Sequence, residues 1–125
     1  MSGKLFGVAE ARALLPEVRR QAAELVEARA DLAELSHVLR SGGHSPLGGR
    51  PEAKALEARL SELLSWFPDQ GIEVKGVAPL LLDFPAELDG VSVRLCWLEG
   101  ERELGWYHRS ELGILGRRPL PGETT

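Results

Sequence analysis

Apolar side chains at Val18, Ala22, Leu25, Ala28, Leu32, Leu35 and Leu39 follow one another in steps of three and four. That spacing puts them on one stripe of a single long helix, and such a stripe has to be buried against a partner element. Proline is accommodated in the first turn of a helix, where its missing N–H costs nothing, so Pro16 places the predicted start near Leu15 and the end near Arg40. "VAEARALL" before it is then expected to form its own short turn or helix. Residues 41–50, "SGGHSPLGGR", hold four glycines and a proline and read as a flexible connector. A second helix is expected from Pro51, carrying Ala53, Leu56, Leu60, Leu63 and Phe67 on its stripe and stopping before Pro68. Two narrow stripes joined by a short connector predict a long antiparallel helical hairpin.

From Gly71 the pattern changes to short runs rich in β-branched, aromatic and leucine residues: "IEVK", "PLLLDF", "VSVRLCW" and "ELGWYH". Their separators are too short for parallel crossovers, so a small antiparallel four-stranded β-meander is predicted. The fold class expected is α+β in a single domain over 1–125, with the helical hairpin in 1–69 and the meander and C-terminal tail in 70–125. The first helix would be roughly 35 Å long at 1.5 Å per residue, more than a sheet of short strands can cover. Part of its stripe then needs a second copy of the chain, and a homodimer or higher homo-oligomer through the helical hairpin is expected.

The formal net charge of −4 and pI near 5.4 supply no chain-wide basic field, which argues against nucleic acid as a partner. No run approaches the ~18 apolar residues of a membrane span, and the N-terminus lacks the pattern of a secretory signal, so no membrane partner is expected. A single cysteine, Cys96, and the absence of asparagine fit a reducing cytoplasm better than an exported location. The phosphate-loop, dinucleotide and nucleophile-elbow motifs are all missing, and with them the geometries those chemistries need.

The residue types that carry chemistry concentrate in "VSVRLCWLEGERELGWYHR", residues 91–109. Read as a hairpin turning at Glu99-Gly100 or Gly100-Glu101, it puts Val91, Val93, Leu95 and Trp97 on one face with Leu104, Trp106 and His108. Arg94, Cys96, Glu103 and Tyr107 fall on the other, and only a bulge or an odd-length loop would reverse this. Cys96 and His108 are therefore expected on opposite sides, with Cys96 a small packed hydrophobe and the two tryptophans core or interface. His108 reads either as a packing residue or as a ligand beside carboxylates. Asp83 interrupts the apolar run "LLLDFP", so it must be paired, solvated or bound to something. One reading pairs Asp83 with Arg117 or Arg118 of the tail. The other joins Asp83 and Glu101 to His108 as oxygen and nitrogen ligands for a divalent metal such as zinc or manganese. His37 and His44 lack acidic or thiol companions and read as surface residues.

Three segments, "FGVAEARALLPEV", "GIEVKGVAPLLLDFPAELDGVSVRLCWLEGE" and "WYHRSELGILGRRPL", resemble DUF2203, an uncharacterised prokaryotic family. The resemblance rests on an F-T-x-E-E-A-N-x-L-L-P-like opening and on D-F-P, L-C-W-x-x-G-E, Y-H and G-R-x-P segments. It covers nearly the whole chain outside 41–50. The chain departs from the opening pattern at Gly7, where threonine is usual, and at Arg12, where asparagine is usual. The resemblance implies a shared fold and a loose link to metal binding, and no reaction. Two functions follow from the sequence: a small non-catalytic interaction or scaffold protein, or a divalent-metal-binding protein, with hydrolysis as the associated chemistry, using Asp83, Glu101 and His108.

Overall fold

The computed structural model describes residues 3–121. Two helices, α1 (Val8–Arg40) and α2 (Arg50–Asp69), precede an antiparallel sheet of five strands. The strands are β1 (Glu73–Val77), β2 (Leu80–Leu88), β3 (Val91–Leu98), β4 (Trp106–Arg109) and β5 (Arg118–Pro119), hydrogen-bonded in chain order. No helix among the described residues is long and apolar enough to cross a membrane.

The α+β class is as the sequence predicts, and several details differ. "VAEARALL" is the first part of α1 rather than a separate element, because Ala11, Leu15 and Val18 are all buried and extend the apolar stripe through Pro16. Burial of a continuous stripe outweighs one missing backbone hydrogen bond. Gly7 caps this helix without a side-chain oxygen. Instead its N–H donates to Glu10 Oε1 at 3.3 Å, the returning half of a capping box. Helix α2 likewise runs past Pro68 to Asp69, and its start repeats the device, with the Gly49 N–H donating to Glu52 Oε1 at 2.7 Å. It ends where Gly71, at φ 89°, lets the Ile72 N–H reach the Phe67 carbonyl at 2.9 Å. The third difference is β5. The tail forms a fifth strand by pairing Arg118 with Tyr107 and Pro119 with Trp106.

The chain divides into two compact units. One comprises residues up to Val18 and from Phe67 onward, and the other comprises Arg19–Trp66. The helices are thus divided between the units rather than set apart as one long hairpin. In the Arg19–Trp66 unit, Ala22, Leu25, Ala28, Leu35 and Leu63 are buried, and Arg59 of α2 pairs with Glu24 of α1. Leu32, Leu39, Leu56 and Leu60 of the same stripes keep part of their surface.

In the sheet unit, "DG" at 89–90 forms a two-residue turn with both residues at positive φ, which pairs Leu88 with Val91. "PAEL", expected as part of a connection, therefore belongs to β2. Pro85 is accepted in the strand because the β1 pairing extends only to Asp83, leaving Pro85 flanked by β3 alone. Its carbonyl still accepts a hydrogen bond from the Phe6 N–H at 2.7 Å. Leu82, Phe84 and Ala86 of β2 alternate inward with Val93, Leu95 and Trp97 of β3, and this face is the core. Phe6 stacks edge-on against Phe84 with ring centroids 5.3 Å apart.

Candidate metal centre

The opposite face of the sheet is built from the residues in between. Its arrangement depends on the link from β3 to β4, which spans residues 99–105. Seven residues make an odd-length loop, and the register pairs Cys96 with Trp106 and Arg94 with His108. This overturns the expected facing. Trp97 lies in the core, whereas Trp106 and His108 share the other face with Arg94 and Cys96. Directly across β2, Asp83 pairs with Cys96. Asp83, Cys96 and His108 thus stand on three neighbouring strands, and all three are buried, at 3%, 0% and 2% exposure. One ligand atom from each lies within 4.8 Å of the others.

Hydrogen bonding constrains the protons of this group. His108 Nδ1 is 2.8 Å from the Arg109 carbonyl oxygen, which can only accept, so Nδ1 carries a hydrogen. Nε2, 3.2 Å from Asp83 Oδ2, is then a bare acceptor in the neutral ring and faces another acceptor. A cation, either a proton or a metal ion, has to lie on that edge. The second carboxylate oxygen, Asp83 Oδ1, is buried with no hydrogen-bond partner. Burial raises the Asp83 pKa above the ordinary carboxylate value, and the neighbouring His108 only partly opposes this. The Cys96 thiol is pushed up to about 11, by burial first and by the Asp83 charge second. Without a metal it is a protonated, unreactive thiol.

Arg117 pins the tail, but not through Asp83. Its Nη2 donates to both oxygens of Glu101, at 2.7 and 2.8 Å, and to the Cys96 carbonyl at 3.4 Å. Its guanidinium lies 4.8 Å from the centre of the Trp106 ring. Glu101 also accepts the Leu98 N–H at 2.8 Å, and its own carbonyl accepts the Trp97 indole N–H at 3.0 Å. The structure therefore brings Asp83 and His108 together and commits Glu101 to Arg117 and the loop. Cys96 is the third group beside the pair. The sequence signal that could have found it was the odd length of 99–105, which the Gly100 turn conceals.

Asp83 and His108 form part of the wall of a cavity of about 210 Å³, which Lys75, Arg94, Ser110 and Ile114 also line. Arg94 is held by Glu73, with Nε–Oε1 at 2.9 Å and Nη2–Oε2 at 3.3 Å, and its Nη1 donates to Ser110 Oγ at 2.8 Å. The group has the composition of a metal site. Histidine nitrogen, cysteine sulfur and carboxylate oxygen are the three donor types zinc takes, and a His whose other ring nitrogen donates to a backbone carbonyl is the usual orientation for a ligand. The 3.2 Å Nε2–Oδ2 separation is close to the edge of a tetrahedron with bonds of about 2.0 Å, ~3.3 Å.

A family model described as an uncharacterized conserved protein (DUF2203) matches residues 4–120. No curated protein and no solved structure matches the chain.

Proposed function

The chain belongs to the DUF2203 family, whose description names no reaction, and we propose that it binds a divalent metal ion, zinc by its donor set, through Asp83, Cys96 and His108. The observation that carries this reading is the acceptor-to-acceptor edge between His108 Nε2 and Asp83 Oδ2, with Oδ1 orphaned beside it. A buried carboxylate without a partner costs stability. A metal on that edge removes the conflict and takes the thiolate of Cys96 as its third protein ligand. Three protein ligands leave one position, and the cavity beside Asp83 and His108 is the side on which it can open. A zinc ion so held would supply Lewis acidity toward an oxygen ligand.

The test uses the untagged full chain, with metal content from elemental analysis and stability from calorimetry. Wild type is expected to hold one zinc per chain. In Asp83→Asn the amide can donate to Nε2, so this variant is expected to lose the zinc while gaining about 1 kcal/mol in its metal-free form at neutral pH. The sign follows from the raised pKa. The ionised Asp83 of the metal-free wild type is a cost above its folded pKa, and that cost fades as pH falls toward the ordinary carboxylate value. The advantage of Asp83→Asn should fade with it. An Asp83→Asn protein that keeps its zinc, or is destabilised without it, contradicts the reading.

A second, compatible reading is self-association of the Arg19–Trp66 unit, supported by the partial exposure of Leu32, Leu39, Leu56 and Leu60 along its stripes. Light scattering is expected to show a dimer or larger species at tens of micromolar, and Leu32→Asp to shift it toward monomer. A monomeric wild type contradicts this reading and leaves the metal site untouched.

A further inference from the structure

The cavity beside the metal centre has its own chemistry, and we infer that it binds a small oxyanion, a phosphate or a carboxylate, placed against the metal ion. The inference rests on the metal reading above. Lys75 and Arg94 line this cavity together with Asp83 and His108. The Lys75 ammonium is 3.4 Å from Glu73 and its side chain is half exposed, so it is a flexible point charge in the cavity lining. Arg94 is fixed instead. Its bonds to Glu73, Ser110 and the Val93 carbonyl commit four of its five N–H groups and leave one on Nη2. With a divalent metal and the Cys96 thiolate in place, the metal, Lys75 and Arg94 outweigh Glu73, Asp83 and the thiolate by one positive charge. The cavity is thus a place where an anion is drawn in, and charge-assisted hydrogen bonds from lysine and arginine are the strong ones.

Size and lining narrow the ligand further. A volume of about 210 Å³ lies below the range of pockets that take drug-sized molecules, so the ligand is small. Leu81 and Ile114 give the same cavity an apolar side, so the head group can carry a short carbon chain.

The experiment is calorimetric titration of the full chain, loaded with zinc, with inorganic phosphate and separately with acetate. Zinc content is measured on the same samples for wild type and for Lys75→Met, a change at a half-exposed side chain outside the ligand set. Saturable binding of at least one anion is expected in wild type. Lys75→Met is expected to weaken it roughly tenfold or more while its zinc content stays at one per chain. Whichever of phosphate and acetate binds more tightly identifies the head group. Full zinc loading with no saturable anion binding, or with equal anion binding in wild type and Lys75→Met, overturns the oxyanion site and leaves the metal reading standing. Absence of zinc from wild type overturns both.

Discussion

His108→Ala is expected to abolish tight zinc binding, because it removes one of three protein ligands and the only neutral nitrogen donor among them. Loss of a group that merely orients a ligand weakens metal affinity 10–100-fold, so loss of the ligand itself should cost roughly 100-fold or more. The effect is readable as stability. With free zinc at 100 times the wild-type Kd, the metal stabilises the fold by about 2.7 kcal/mol, and a 100-fold weaker variant at the same zinc concentration gains only ~0.4 kcal/mol. Melting curves with and without zinc should therefore separate widely in wild type and nearly coincide in His108→Ala. Binding should also release protons, since the Cys96 thiol, pushed up to about 11, is protonated at neutral pH and must ionise to coordinate. Zinc affinity is accordingly expected to rise with pH. If zinc raises the melting temperature of His108→Ala as much as that of wild type, the ligand assignment is wrong.

The second large effect is expected at Arg117, which joins the tail to the sheet and whose charge also acts on the Cys96 thiol. Arg117→Ala strips Glu101 of both its charged hydrogen bonds and removes the cation from the Trp106 ring. Breaking a fully buried ion pair from one side costs 3–5 kcal/mol, and this pair is partly solvated, so about 2 kcal/mol is expected. For a chain of this size that corresponds to a melting temperature lower by roughly 5–10 °C. In a double-mutant cycle with Glu101→Gln, most of this loss should already be present in either single variant. Strictly additive losses would show that the clasp contributes little.

These expectations draw on features the sequence displays unequally. The helical stripes were legible because leucines and alanines at steps of three and four have one physical explanation, and Leu25, Leu35 and Leu63 are buried accordingly. The prolines misled at both helix boundaries. Pro16 and Pro68 each lie inside a helix whose neighbours are buried, and burial decides where local propensity alone would stop the chain. Strand β5 was hidden because two residues, one of them proline, carry no strand pattern. It is held by its pairing with β4, by the buried Leu120, whose N–H donates to the Gly105 carbonyl, and by Arg117, which anchors the tail to Glu101.

The site was half legible. Asp83 stands out as a charge inside an apolar run, and His108 as a polar residue at the end of a strand. Trp106 and His108 were assigned to the wrong side because facing in a hairpin depends on a single residue of loop length, and Glu101 was drawn into the ligand set because its partner lies 16 residues further on. Five residues within the segments of family resemblance divide accordingly into two linked sets, Asp83, Cys96 and His108 as the buried cluster and Glu101 with Arg117 as the clasp. The link is physical, since Arg117 also donates to the backbone carbonyl of Cys96.

The central claim is that one zinc ion is held by a carboxylate, a thiolate and an imidazole on three adjacent strands. X-ray absorption at the zinc edge on the purified, zinc-loaded chain tests it most directly. The expected spectrum contains one sulfur at about 2.3 Å and nitrogen or oxygen neighbours at about 2.0–2.2 Å, and the sulfur shell should vanish in Cys96→Ala. A shell of nitrogen and oxygen alone in wild type, or a sulfur shell that persists in Cys96→Ala, would contradict it.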